Sequence, residues 1–528
     1  MVRCAAMNKK YLVFSLTAIV LFFVILEGFT RLFTVSGSYD FIERTIIQQG
    51  LKARKQPDEF RIFLFGESTM QGTHLFPKST IKKWMEIYSE DLLGEAEAKK
   101  ITIINFGRLG CGSRFMLQAF KDTLVYKPDL VVFYSAHNNF IQLELRDEVL
   151  KSKPVVEKFG AFMQELAKKS SFISTMKRLA VAAKIKRSER KAKIKNDEWY
   201  VEEEKKFDPD TDLIQNGSDQ FERIRQSWER DIRQMIQVSR EKNVPVIFFE
   251  GVSKYKDFKP FYSKHSLRLN VDQRQEWENV SSAAEKSFQE ERYFEAMTLY
   301  QQALALDDGY ALTYFRIGQC LEQLGDYKGA YKSYVESNEK DTMPIRAPKV
   351  VNLFYDQLAA EKLKDVYIIP TQRLFDQYSP NGLVNDEWVA DQLHPTMKGQ
   401  ALMAEEIVKI VVENHWLKTQ SPFVWKEPKS FDVLAKKIDI DSDFQFDIQL
   451  WLANYVGSYL DTAEQYLIKA LQIKPQSIRA KSQLAWVYWK AKRLDEAKKL
   501  YQELIQQAPR QAEHFFNAHP DIKSLVVH

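Results

Sequence analysis

Short apolar runs that end in glycine or a polar turn recur through residue 370 of the chain. FRIFLFG at 60–66, ITIIN at 101–105, DLVVFYS at 129–135, VPVIFFEG at 244–251 and KDVYIIP at 364–370 each have the length of a buried strand. Mixed apolar and polar stretches at 78–94, 114–126, 221–242 and 396–413 read as helices between and after them. Strands alternating with helices predict a parallel sheet covered on both faces, an α/β fold of three layers. In such sheets ligands bind beyond the C-terminal ends of the strands, so chemistry is expected in the loops that follow them.

Two stretches have a different rhythm. Tyr293, Ala296 and Tyr300 recur as Tyr327, Ala330 and Tyr334, and Leu460, Ala463 and Pro475 recur as Leu494, Ala497 and Pro509, in both cases 34 residues later. That period, with Ala where two helices cross and Pro at the repeat end, resembles tetratricopeptide repeats (TPR). The segments are 276–343 and 430–528, each about two repeats long. Roughly three are needed for a repeat array to stand alone, so each segment is expected to dock on the α/β domain or on the other segment. Their concave faces are expected to take a protein partner; the alternative is a structural brace around the cleft.

Near the N-terminus, residues 11–26 (YLVFSLTAIVLFFVIL) carry no charge. With flanks, 11–29 approaches the shortest bilayer span. Arg3, Lys9 and Lys10 precede it, which puts residues 1–10 in the cytoplasm and the rest of the chain outside. The expectation is a single-pass signal anchor with the α/β domain extracytoplasmic. A cleaved signal peptide would begin the same way, but no small-x-small cleavage site follows. A buried core helix is the third reading. Residues 150–220 break the strand–helix alternation and hold nine Lys or Arg within 177–195. They read as a solvated helical cap, with an anionic membrane surface or polymer as the alternative use.

Composition narrows this picture only a little. The chain has 528 residues, 45% of them hydrophobic, and 76 basic against 71 acidic side chains. A net +5 over that length gives no case for nucleic acid. The 35 Phe, 23 Tyr and 10 Trp exclude long disorder. Three cysteines make no disulfide framework and have no zinc spacing, so neither a metal nor a cofactor is expected.

Four strand-end loops carry reactive groups. GESTMQG (66–72) follows the first strand and sets Ser68 on a turn at a helix start. NFGRLGCGS (105–113) follows the second and offers Gly110, whose backbone can approach a ligand closely. SAHNNF (135–140) follows the third and offers the Asn138 amide. DQLHPTMKG (391–399) offers Asp391 and His394 three residues apart on one turn, with Pro395 leading into the next helix. Each has an ordinary structural explanation by itself: a helix cap, a turn glycine, a loop asparagine, a structural histidine. Together they make up the nucleophile, oxyanion donors and base of acyl transfer.

These four blocks, in this order, resemble the SGNH/GDSL hydrolases over about 58–275 and 345–415. GESTMQG has Glu67 where the naming motif has Asp. SAHNNF has Ala136 where Gly is usual and Asn139 where an acid is usual. DQLHPTMKG is similar to the last block, DxxHP. VPVIFFEGVSKYKDFKPF resembles the subgroup in which tetratricopeptide repeats interrupt the chain before that last block. The resemblance implies a flavodoxin-like α/β/α hydrolase cleaving an acyl ester. Ser68 would be its nucleophile, His394 the base and Asp391 the partner of the base. The Ser68 backbone with Gly110 and Asn138 would form the oxyanion hole. His137 and Arg346 are candidate substrate contacts. Cys111 reads as a packing residue. Two rival functions remain, an O-acyltransferase or deacetylase on an extracytoplasmic polysaccharide and an inactive repeat adaptor.

Overall fold

Five strands form one parallel sheet: β1 (Phe60–Gly66), β2 (Ile101–Gly107), β3 (Leu130–Tyr134), β4 (Val246–Phe249) and β5 (Val366–Ile369). Their order is β2-β1-β3-β4-β5, with Phe65 opposite Phe106 and Phe133, and Phe133 opposite Phe248. The order reverses beside β1, the point at which open α/β sheets bind ligands. This computed structural model describes residues 37–141, 213–266, 268–343, 345–417, 425–457 and 459–527.

Register decides the core. The four Phe rings line one face, Phe65 stacked on Phe106 at 5.2 Å and on Phe133 at 5.3 Å, and Phe133 on Phe248 at 5.2 Å. The helices α1 (Ser68–Gln71), α2 (Ile81–Leu93), α3 (Ser113–Thr123) and α4 (Asp219–Lys242) follow in the chain. Phe120 of α3 meets that row edge-on, and Trp228 of α4 is fully buried. Ser218 caps α4 by accepting the N–H of Phe221 at 3.2 Å.

After β4 the inserted repeats run through α5 (Val271–Gln289), α6 (Tyr293–Leu306), α7 (Ala311–Gln323) and α8 (Tyr327–Lys340). The chain then returns to the sheet as α9 (Lys349–Ala360), β5, α10 (Thr371–Tyr378) and α11 (Met397–Glu413). Phe354 and Tyr355 of α9 pack on Trp228, while α11 packs on α2. The right-handed crossover rule puts α2 on the face opposite α3 and α4, because the walk across the sheet changes direction after β2. The result is the three-layer α/β fold expected.

The C-terminal segment comprises α12 (Ser442–Tyr455), α13 (Leu460–Ile473), α14 (Ile478–Lys490), α15 (Leu494–Gln507), α16 (Pro509–Ala518) and α17 (Pro520–Val527). The repeating Ala296, Ala330, Ala463 and Ala497 are all fully buried, as small residues at helix crossings must be. Both repeat segments dock on the α/β domain, and on the same loop. Tyr255 packs with Phe315, Ala330 and Tyr334 of the inserted repeats. Phe258 packs with Leu450, Ala463 and Leu467 of the C-terminal ones. The expected C-terminal pair is extended here: its six helices let α16 and α17 close the outer end through Phe515, Phe516 and Ile522, while Phe258 packs into the core nearer the start of the segment.

Arg346 holds that loop. It is buried; its Nη1 donates to the Tyr255 and Phe258 carbonyls at 3.1 and 2.8 Å, and its Nε to Asn338 Oδ1 at 3.1 Å. The expected substrate contact is therefore corrected: the guanidinium is consumed by a loop and a repeat helix. The helix Gly37–Gln48 belongs to a separate unit. Among the described residues no helix is long and apolar enough to cross a membrane. The expected tail at 1–10, the anchor at 11–29 and most of the charged 150–220 stretch lie outside the described residues. Arg346→Ala orphans two buried carbonyls and is expected to cost about 1–3 kcal/mol. A denaturant midpoint equal to that of the parent chain would show that this anchor carries no weight.

Candidate active site

Gly66 ends β1 because nothing larger fits. A Cβ there would lie 2.6 Å from Met70 Cβ and 2.8 Å from the Tyr134 carbonyl oxygen. The chain turns at once, with Glu67 at the cap position of α1 and Ser68 as its first residue. Ser68 is thus inside the turn, and Glu67 uses its side chain elsewhere. Its carboxylate accepts the backbone N–H of Ala136 at 3.0 Å, of His137 at 3.1 Å and of Asn138 at 3.2 Å. The loop after β3 is therefore folded around the residue preceding the serine. Burial pushes Glu67 up to about 8, against the opposing pull of those three donors.

The last block forms a closed turn. The Ala390 N–H donates to the His394 carbonyl at 2.8 Å and the Thr396 N–H to that of Trp388 at 2.8 Å. Inside it, Asp391 Oδ1 accepts the N–H groups of Leu393 and His394, both at 2.8 Å. Its Oδ2 lies 2.7 Å from His394 Nδ1. Burial alone would raise Asp391, but the His394 charge and hydrogen bond, with the two backbone donors, outweigh it and hold the carboxyl at about 2. An ionised Asp391 keeps the ring proton on Nδ1 and leaves Nε2 as an acceptor.

That acceptor meets the serine. Ser68 Oγ lies 2.8 Å from His394 Nε2, across 326 residues of sequence. Helix α11 secures the approach: Gln400 Nε2 donates to the Thr69 carbonyl at 2.8 Å, and its Oε1 accepts the Ile81 N–H at 2.9 Å. Thr396 caps α11 by accepting the Gly399 N–H at 3.2 Å, so Pro395 leads into the helix as expected.

The candidate oxyanion donors flank the same turn. Gly110 takes φ +70°, a left-handed conformation that suits glycine. Asn138 Nδ2 donates one hydrogen to the Cys111 carbonyl at 3.0 Å, and its second hydrogen is not needed there. Cys111 is buried, and its thiol lies 3.2 Å from the Gly66 carbonyl. Burial pushes that thiol far up, so it is a packing residue that ties the second loop to the first. Asn139, where an acid is usual, joins the third loop to the start of α3. Its Oδ1 accepts the Ser113 N–H at 2.8 Å and its amide donates to Ser113 Oγ at 3.1 Å. Ala136, where Gly is usual, is buried against Gly251.

The expected substrate contact at His137 is corrected as well. Its ring is fully buried, stacked on Tyr134, with Nε2 2.9 Å from the Tyr134 hydroxyl. It supports the third loop from below and does not line an open cleft.

Three site neighbours escaped the sequence reading. Trp451 and Tyr455 of α12 stand edge-on to His394, with ring centroids 5.1 and 4.6 Å away, and stack on each other at 5.0 Å. His74 lies 6.0 Å from the His394 ring and stacks on Trp451 at 5.4 Å. A spacing of four puts Trp451 and Tyr455 on one helix face, which the sequence does show; it does not show what that face meets.

Tetratricopeptide-repeat family models match residues 311–339 and 460–517, so both helical segments carry such repeats. Among solved structures, the chain is similar to a GDSL-like lipase of Bacteroides thetaiotaomicron, at 10% identity over 71% of this chain and 98% of that one, with a TM-score of 0.29. It is also similar to a thermophilic TPR protein of Thermus thermophilus, at 16% identity over 48% of this chain and 100% of that one, with a TM-score of 0.14. None of the curated proteins matches.

Asp391 sits below its ordinary 3.8, so the stability it contributes is present above about pH 4 and lost as pH falls through about 2. The gap in unfolding midpoint between the parent chain and Asp391→Asn is expected to narrow from about pH 5 to about pH 2. A gap that stays constant contradicts the ionised, bonded carboxylate.

Proposed function

We propose that the chain is a serine esterase of the SGNH/GDSL type that cleaves carboxylic esters through an acyl-Ser68 intermediate. One observation carries this reading, the unbroken series Asp391–His394–Ser68 at 2.7 and 2.8 Å. His394 Nε2 takes the Ser68 proton as Oγ attacks the ester carbonyl. The carbonyl oxygen gains the negative charge, and the Ser68 and Gly110 backbone with the Asn138 amide are its donors. One such donor is worth roughly 3–4 kcal/mol of barrier. Collapse breaks the bond to the alcohol, which leaves with the proton from Nε2. Water, deprotonated by the same nitrogen, then releases the acid and restores Ser68. If a second alcohol takes the place of water, the same steps amount to acyl transfer.

Asp391 keeps Nδ1 protonated and offsets the charge on the imidazolium. Asn at this position would still accept the backbone N–H groups at Oδ1 but would turn an N–H₂ toward Nδ1, favouring the wrong tautomer. Ser68→Ala is expected to abolish turnover of p-nitrophenyl acetate with the fold retained, and Asp391→Asn to lower kcat about 10⁴-fold. Turnover by Ser68→Ala at the parent rate would reject the assignment.

In this reading residues 11–29 tether the enzyme to a membrane with its catalytic domain extracytoplasmic, and the repeats take a protein partner. The uncharged run and the basic residues before it support the tether. The full chain is expected to stay in the membrane fraction after carbonate washing, and a chain starting at residue 37 to be released. Release of both would remove the anchor from the proposal.

A further inference from the structure

A cavity of about 850 Å³ lies beside the turn that carries Asp391 and His394, and the mechanism above does not use it. Three parts of the chain enclose it. His74, Lys254 and Thr396 come from the α/β domain, Gln319 from α7, and Gln449 and Lys469 from α12 and α13. It borders the flank of His394: Ala390 and Thr396, on either side of that turn, are in its wall, and so is His74, whose ring lies 6.0 Å from that of His394. The leaving alcohol receives its proton from His394, so the alcohol half of an ester belongs on this flank.

Two lining side chains hold polar atoms with nothing to bond. His74 is only 5% exposed, and neither of its ring nitrogens has a hydrogen-bond partner among the described residues. The Oε1 of Gln449 is likewise buried without a partner. Such atoms cost stability until a water or a ligand completes them, and a ligand with a matching group can take that place. Burial first, and the nearby His394 charge second, hold His74 down at about 3, so its ring is neutral. A neutral imidazole has one N–H and one lone pair. An anion satisfies only the N–H and an ammonium only the lone pair, whereas a hydroxyl satisfies either. Gln449 Oε1 needs a donor, which a hydroxyl also provides. The cavity's cations are already engaged: Lys254 with Asp386 and the Phe258 ring, and Lys256 with Glu322 at 2.9 Å. Lys469 lies over the Tyr466 ring.

We propose that this cavity binds the alcohol portion of the substrate, an uncharged, hydroxyl-rich moiety, with His74 and Gln449 as its recognition groups and α12 and α13 as part of its wall. The proposal rests on the esterase reading and specifies its substrate class. The repeats then complete the active site in addition to any partner they take.

The test compares a monoacetylated methyl glucoside with cyclohexyl acetate, a ring of the same size without hydroxyls. The full chain is expected to prefer the glucoside ester. His74→Phe keeps the stack on Trp451, removes both nitrogens, and is expected to lower the kcat/KM ratio of the two esters about tenfold, through KM of the glucoside. Gln449→Leu is expected to move it in the same direction. A ratio unchanged in both variants overturns the proposal. Should His74→Phe fail to fold, the unaltered chain decides: free methyl glucoside inhibits competitively and cyclohexanol at the same concentration does not, and equal inhibition overturns the cavity assignment. Fluorophosphonate labelling of Ser68 separates the two failures. Labelled, ester-cleaving protein without the preference loses only the cavity assignment, and protein that neither labels nor cleaves loses the esterase reading itself.

Discussion

The site depends on one buried carboxylate being given more hydrogen bonds than it can forgo. Asp391 accepts two backbone N–H groups of its own turn and the Nδ1 proton of His394. The same three contacts shape the turn, aim the ring and keep the carboxyl ionised in a place where burial would otherwise protonate it. Everything else in the cleft follows from where that ring points. Gln400 of α11 then brings the first loop to it through Thr69, so that Ser68 lies within hydrogen-bond reach.

Glu67 does for the opposite side what Asp391 does for His394. It sits beside Ser68 and gathers the backbone of Ala136, His137 and Asn138 around one carboxyl group. The position of the Asn138 amide is thereby coupled to that of Ser68 through a single residue. Ala136 and Asn139, which depart from the pattern the sequence resembles, each have a packing or capping partner that makes them consistent with this loop.

The repeats are braced to the α/β domain by the 255–258 loop. Tyr255 sits in one repeat core and Phe258 in the other, and Arg346 binds both of their carbonyls. Each repeat segment offers the domain an apolar face, and one shared loop packs on both. The same docking carries Trp451 and Tyr455 to the edge of the His394 ring. A helical segment far along the sequence thus becomes a wall of the cleft.

Five short apolar runs were enough to read the strands, because a buried parallel strand is apolar on both faces and stands out without an alignment. The 34-residue period was equally legible, since small residues at helix crossings must recur at that spacing. Ser68 was legible because the loop after a buried parallel strand lies at the ligand edge of the sheet, whereas Asp391 and His394, which follow α10, were legible by their spacing of three ahead of Pro395. Only the tertiary structure decided what each loop residue faces. His137 and Arg346 have the chemistry of substrate contacts, yet one lies under its loop and the other inside a docking joint. His74 has no local signal and Trp451 only its helix face, because what they meet comes from a contact between segments that are hundreds of residues apart. A chain's own pattern determines which faces must be buried; which partner buries them depends on how all the elements pack together.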